Sequence, residues 1–320
     1  MKKSTKIWLG VAGALVVVGI MISIFTLSFN QWDFDRFSTR KFETNTYDVS
    51  QKFSNISMNT SVADIMFVLS ENGKCKVECY EDEKAKHSVT VNDDTLYINV
   101  NEDKDWFDFI NINFQSPKIT VYLPKSEYNM LSIDETTGDI NISKDFKFKS
   151  VDVLLTTGNV NCLASASEMI KINATTGNID VEDTSAARFD LSVTTGNIDV
   201  SNVVCKGDIE VNVTTGEADL TNVKCKNLVS DGSIGDMNLN SVIASQKLSV
   251  KRSTGEIKFN GSDANEIFAQ TSVGDIEGTL LTDKIFMAES DIGEVDVPKT
   301  TSGGRCEINT NTGDIDIEIK

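Results

Sequence analysis

Residues 175–220 read TTGNIDVEDTSAARFDLSVTTGNIDVSNVVCKGDIEVNVTTGEADL, and the two intervals between their three Thr-Thr-Gly triplets, 19 and 20 residues, decide the fold. The same motif runs outward in both directions: TTGDI at 136, TTGNV at 156, SIGDM at 233, STGEI at 253, SVGDI at 272, DIGEV at 291 and NTGDI at 311. Ten glycines from Gly138 to Gly313 thus recur every 19 or 20 residues. A period held so tightly means one supersecondary unit stacked on copies of itself.

The unit is strand, corner, strand, second turn. Seven and five residues before the glycines stand Leu131 and Ile133, Ile170 and Ile172, Phe189 and Leu191, Ile209 and Val211, Leu248 and Val250, Cys306 and Ile308. Two and four residues after them stand Ile140 and Ile142, Ile179 and Val181, Ile198 and Val200, Met237 and Leu239, Ile257 and Phe259, Ile315 and Ile317. Alternation with period two on both sides of a turn is the signature of half-buried strands. A coil of about 20 residues is too short for a helix plus a strand, which leaves all-β coils. The predicted fold is all-β, a parallel β-solenoid (β-helix) of about 10–11 coils of 19–20 residues, preceded by one transmembrane α-helix.

Upstream, ISMNTSVADIMFV (residues 56–68) fits the template with Ala63 in the glycine column, an eleventh coil. The block between it and Leu131 alternates as strands of another kind and is placed to cap the first end. Within it EDKDWFDFININF (residues 102–114) carries four aromatics and is expected to tuck onto the core. Residues 7–29 hold no charge and are long enough to span a hydrocarbon core of about 30 Å. Lys2, Lys3 and Lys6 precede them, which predicts an N-terminus in the cytoplasm and everything beyond residue 30 outside it. The apolar run exceeds that of a cleaved signal peptide, so an uncleaved anchor is favoured. The expected organisation is a cytoplasmic tail over 1–6, a transmembrane helix over 7–29, a stalk over 30–45, a first coil with a β-rich cap over 46–130 and solenoid repeats over 131–320.

The run VYLPKSEYNMLSIDETTGDINI (residues 121–142), with the columns from Phe53 to the C-terminus, resembles the bacterial "putative adhesin" family, a domain of unknown function with a β-solenoid fold. The resemblance implies a cell-envelope protein, adhesive or linked to envelope stress, and brings no catalytic residues with it.

Chemistry in the sequence is sparse. The formal net charge of −18 argues against nucleic acid, which is bound through clustered Lys and Arg, and against a flat seat on anionic lipid. Coil lengths that vary by one residue leave no room for the long loops from which solenoid enzymes build clefts, and no catalytic or cofactor-binding residue is expected. His87, the single histidine, sits beside Lys84 and Lys86 and is expected to be solvated. Six cysteines lack zinc-type spacing. Cys205 and Cys225 both stand nine after their glycines, close enough on stacked coils for a bridge, with two packed thiols the favoured alternative.

The positions one and three after each glycine carry 13 carboxylates in 20, from Asp139 to Asp316. Stacked about 4.8 Å apart, they would offer hard oxygen ligands to Ca²⁺ or Mg²⁺, with Asp236, Glu256, Asp275, Glu294 and Asp314 the candidates. The glycine-rich nonapeptide of calcium-binding solenoids is absent, so a solvated face with an Asn159–Asn178–Asn197 side-chain ladder is preferred. The partner is expected to be an envelope or surface ligand. The last strand, IDIEIK, is expected to form an open edge whose charges, Asp316 and Glu318, keep a monomer of residues 46–320 apart from its copies.

Overall fold

The computed structural model describes residues 3–29, 41–102 and 116–320. Among the described residues a single α-helix, α1 (Lys3–Phe29), is followed by 25 strands that join in one hydrogen-bonded sheet. Within α1 the stretch Trp8–Thr26 is long and apolar enough to cross a membrane, as an anchor or as a signal sequence.

The parallel β-solenoid is present, with its coils in the register that the alternation demands. Ile209 pairs with Leu228, Leu228 with Leu248 and Leu248 with Ile267, so one apolar column runs along the interior. All are buried, and the column after the corner, Ile179, Ile198, Ala218, Met237 and Ile257, is buried with them. A slip of one residue would turn both columns to solvent, and each large aliphatic side chain exposed in this way costs roughly 1.5–3 kcal/mol.

Two corners close each coil. At the first, Gly158 has φ +138°, and a Cβ there would lie 2.0 Å from the carbonyl oxygen of Gly138 one layer below. Both the backbone angle and the gap therefore require glycine. At the second, six residues on, Asp183, Asn202, Asn222 and Ser241 take φ of 51° to 54°, and Gly261 takes 61°. Short polar residues tolerate this left-handed geometry best. They also stack: Asn202 Nδ2 donates to Asp183 Oδ1 at 3.0 Å, and Asn222 Nδ2 to Asn202 Oδ1 at 2.9 Å.

At the first end, β2 (Asn55–Val62) and β3 (Asp64–Leu69) form the coil expected around Ala63, whose carbonyl oxygen lies 2.0 Å from where a Cβ on Gly138 would sit. Strands β4 (Cys75–Asp82), β5 (Ala85–Asn92), β6 (Thr95–Glu102) and β7 (Lys118–Leu123) build the cap. β6 and β7 continue the parallel stack on β2 and β3, whereas β5 and β4 pair antiparallel with them. β1 (Phe42–Val49) adds antiparallel to β4, so the end of the expected stalk is already strand. The rest of that stalk, and the aromatic segment from residue 103, lie outside the described residues.

The other end departs from sequence order. Strand Gly304–Thr312 pairs with Ile257–Val273 on one side and with Lys284–Ile292 on the other, and Ile315–Ile319 pairs likewise with Ile276–Leu280 and Val295–Asp296. The C-terminal coil is therefore inserted beneath its predecessor. Residues 281–283 step across two layers, a distance of about 10 Å that three extended residues can span. The returning chain passes between two backbones: a Cβ on Gly303 would lie 1.8 Å from Asp283 O, and one on Gly304 1.8 Å from Asn265 O. Lys284 is buried at this crossing, with Nζ 2.5 Å from Asp263 Oδ1.

The expected open edge at IDIEIK is corrected by this arrangement, because Ile315 and Asp316 have partners on both sides. The physical reason is apolar content. At matched inward positions the inserted coil carries Cys306, Ile308, Ile315 and Ile317, all buried, against Phe286, Ala288, Val295 and Val297 on the layer left outermost, which are partly buried or exposed.

Candidate functional site

Three features of the solenoid carry chemistry: the polar ladder at the corner, a lysine-lined groove, and a buried cluster in the cap. In the ladder, the N–H of each residue after the corner glycine points away from the coil-to-coil bonds made by its neighbours. Gly138 N donates to Thr157 O and Ile140 N to Asn159 O, and the residue between them needs another acceptor. The side chain of the layer before supplies it. Asn159 N donates to Asp139 Oδ1 (2.8 Å), Asn178 N to Asn159 Oδ1 (3.0 Å), Asn197 N to Asn178 Oδ1 (3.0 Å) and Glu217 N to Asn197 Oδ1 (3.0 Å). The expected asparagine ladder is thus side chain to backbone.

The five candidate cation ligands belong to this system. Asp236 Oδ1 accepts from Glu256 N, Asp275 Oδ1 from Asp314 N and Asp314 Oδ1 from Glu294 N, each at 2.8 Å. Glu256 turns instead to Lys258, at 2.5 Å. Among the described residues no three of these five carboxylates come within metal-ligand reach of one another. The outward row beside them is crowded: Asp180, Asp199 and Asp219 stack in register. Burial first, then Asp219, Asp180 and Glu217, raises the Asp199 pKa above the ordinary carboxylate value.

On another side of the rod, a groove of about 630 Å³ is lined by Lys147, Lys149 and Lys206, with Ser165, Ser167 and Ser185. A second, of about 830 Å³ with Lys52, Lys74 and Lys125, shares Tyr128 with it. An aromatic stack runs beneath both, Phe53 to Tyr128 at 6.0 Å and Tyr128 to Phe148 at 5.8 Å between ring centroids. The sequence reading missed this groove. Lys147 and Lys149 lie two residues apart, but Lys206 is more than 50 residues on and joins them only because Lys147 stacks beside Ser165 and Ser185 pairs with Val204, while Glu127 lies on the other side of Lys147.

The cap holds the third feature. Alternation along β4 turns Cys75, Val77, Cys79 and Glu81 inward, and the antiparallel register sets Asn45 of β1 opposite Cys79. The carboxylate of Glu81, fully buried, accepts from Asn45 Nδ2 (2.7 Å), from His87 N (2.7 Å) and meets His87 Nδ1 at 2.6 Å. Tyr47 Oη donates to His87 O at 2.8 Å. The solvated His87 expected from the sequence is corrected: its side chain is 3% exposed, because the β4–β5 turn folds it over Glu81. Donor atoms of Cys79, Glu81 and His87 lie within 4.8 Å of one another. Burial, then Glu81, pushes the Cys79 thiol up to about 12. Cys205 and Cys225 are free, buried thiols, and burial followed by Cys205 pushes Cys225 up to about 12.

With the geometry in place, comparison with protein families matches the description Toastrack DUF4097 over residues 53–212 and again over 204–320. The chain belongs to the Toastrack DUF4097 family. The two matched blocks of this Toastrack chain meet within the solenoid and together take in the Ala63 coil, the cap and every corner glycine. Comparison with curated protein sequences gives no match. Among solved structures, the Toastrack chain is similar to a "putative adhesin" from Bacteroides fragilis, at 18% identity and a TM-score of 0.43, covering 87% of this chain and 97% of that one. It is also similar to a "putative lipid binding protein" from Parabacteroides distasonis, at 15% identity and a TM-score of 0.45, covering 86% and 97%. A "putative adhesin" from Parabacteroides merdae aligns at 14% identity and a TM-score of 0.41, covering 75% and 97%.

Proposed function

We propose that α1 anchors the protein in the membrane with the solenoid outside the cytoplasm, and that the solenoid is a non-catalytic binding module for anionic ligands of the cell envelope. The observation that carries this reading is the groove of Lys147, Lys149 and Lys206 over an aromatic floor, in a chain of formal net charge −18. The net charge repels a polyanion at long range, so it would be held where lysines cluster, in this groove and in the neighbouring one of Lys52, Lys74 and Lys125. Lysines and serines along an open groove suit recognition by charge and hydrogen bonds, and its lining holds neither a histidine nor a pair of carboxylates. A second reading, a spacer that holds something away from the membrane, is favoured by the uniform coil.

The test has two arms. With a C-terminal epitope on the full chain, protease added to intact cells should remove the epitope; survival until the cells are permeabilised would refute the topology. With the full chain in zwitterionic nanodiscs, an anionic envelope polysaccharide fraction should bind in a salt-dependent way, and Lys147→Glu with Lys149→Glu should weaken binding at least about tenfold. No binding, or equal binding by the double variant, would leave the spacer as the better reading.

A further inference from the structure

The buried cluster of the cap plays no part in the groove or the ladder, and its composition is hard to explain as packing. A thiol, a carboxylate and an imidazole converge within 4.8 Å in the interior of a β-sheet, where apolar side chains would be cheaper. Glu81 is held on both oxygens, but His87 is not fully satisfied: Nε2 is enclosed and has no hydrogen-bond partner. A buried polar atom without a partner costs on the order of 1–3 kcal/mol, so the imidazole is not there to complete a hydrogen-bond network.

We propose that Cys79, Glu81 and His87 form a binding site for one borderline-soft divalent cation, of which Zn²⁺ is the chemical match. Sulfur, nitrogen and oxygen donors in one set are what Zn²⁺ takes, and in a tetrahedral site such donors stand roughly 3.4–3.8 Å apart, so His87 Nδ1 and the Glu81 oxygen, 2.6 Å apart, would open by about 1 Å, while spacings toward the 4.8 Å limit would close by about as much. The surroundings are already arranged for the task. His87 would bind through Nδ1, the ring nitrogen that already faces Glu81 at 2.6 Å, exchanging their hydrogen bond for a shared ion and leaving the ring proton on the enclosed Nε2. Asn45 fixes Glu81 from the neighbouring strand, and Tyr47 fixes the His87 main chain. A divalent cation also offsets the carboxylate and the thiolate that it requires. Because Cys79 must give up its thiol proton to bind, uptake releases a proton and tightens as pH rises. Through residues on β1, β4 and β5, the ion would tie three cap strands together at the first end of the solenoid.

The test uses the reduced full-length chain in detergent, titrated with Co²⁺ as a spectroscopic substitute and with Zn²⁺ against a chromophoric chelator. One Co²⁺ per chain should bring up a thiolate-to-cobalt charge-transfer band that Zn²⁺ abolishes. Cys79→Ser should lose that band, His87→Gln should bind Zn²⁺ at least about tenfold more weakly, and Asn45→Ala, which leaves the three donors in place, should weaken binding about tenfold through the loosened carboxylate. Absence of the band in the wild-type chain overturns the proposal before any variant is made. So does its persistence in Cys79→Ser, or unchanged Zn²⁺ affinity in a folded His87→Gln.

Discussion

Gly313 lies directly on Gly274, so close that a Cβ on Gly313 would come 2.1 Å from the Gly274 carbonyl oxygen, although Gly293 stands between them in the chain. The layers at the second end thus run 274, 313, 293. This order makes a prediction that a sequential stack does not share. Phe268 pairs with Glu307, and Glu307 with Met287. Paired cysteines on adjacent strands are within disulfide reach, whereas those two layers apart, about 9.6 Å, are not. Phe268→Cys with Glu307→Cys should therefore cross-link on mild oxidation, and Phe268→Cys with Met287→Cys should not. The opposite result, read by mass spectrometry of the peptides, would restore sequential order.

The corner glycines answer a steric demand that alanine cannot meet. Gly196 has φ +137°, and its Cβ would lie 1.9 Å from Gly177 O. Gly196→Ala should lower stability by at least about 2 kcal/mol, from backbone strain and a displaced layer together. Gly13, in α1, has no atom within 4 Å of its would-be Cβ, so Gly13→Ala is the matched control and should leave the solenoid unchanged. Denaturant midpoints of the two variants provide the comparison.

Removing one ladder acceptor should cost little and in a diagnostic way. Asn178 Oδ1 accepts from Asn197 N. Asn178→Ala should destabilise by about 1 kcal/mol, whereas Asn178→Asp, which keeps the acceptor at the same reach, should stay within about 0.5 kcal/mol of wild type. Glutamate there should resemble alanine, since among the described residues no such bond runs from Asp236 N to Glu217 or from Asp275 N to Glu256. Amide exchange at residue 197 would report the loss directly.

Glu135 is buried on the inward face of the first corner-glycine coil. Its Oε1 accepts from Ala63 N at 3.2 Å, and its Oε2 has no partner. Burial pushes its pKa up to about 8, from an ordinary 4.5. The folded state then holds a proton that the unfolded chain has released, so this group's stabilisation is complete below pH 4.5 and is lost as pH rises through 8. Glu135→Gln should remove that fall, and the difference in melting temperature between variant and wild type should widen from pH 5 to pH 9. A constant difference would mean that the carboxyl is not the titrating group.

Much of this was legible in the chain because a repeat averages away local ambiguity. Ten corner glycines with alternating residues on either side leave one register that buries Ile170, Phe189, Ile209 and Leu248 together. The lysine groove and the cap cluster were not legible in the same way. Cys79 and Glu81 could be placed on one face by their spacing of two. Nothing local brings His87 back over them, because a turn of unspecified geometry decides where the next strand points its first residues.

The sequence by itself determined the coil, its period and its inward columns, since those follow from side-chain alternation and from backbone angles open to glycine alone. Only the tertiary structure decided which coil lies on which at the far end, and which polar groups are enclosed in the cap. The template fits the coils around Gly293 and Gly313 equally well. Their order is a competition for the interior, in which the strand of Cys306 and Ile308 lies between two layers with its inward residues buried, leaving Phe286 and Ala288 only partly buried at the edge.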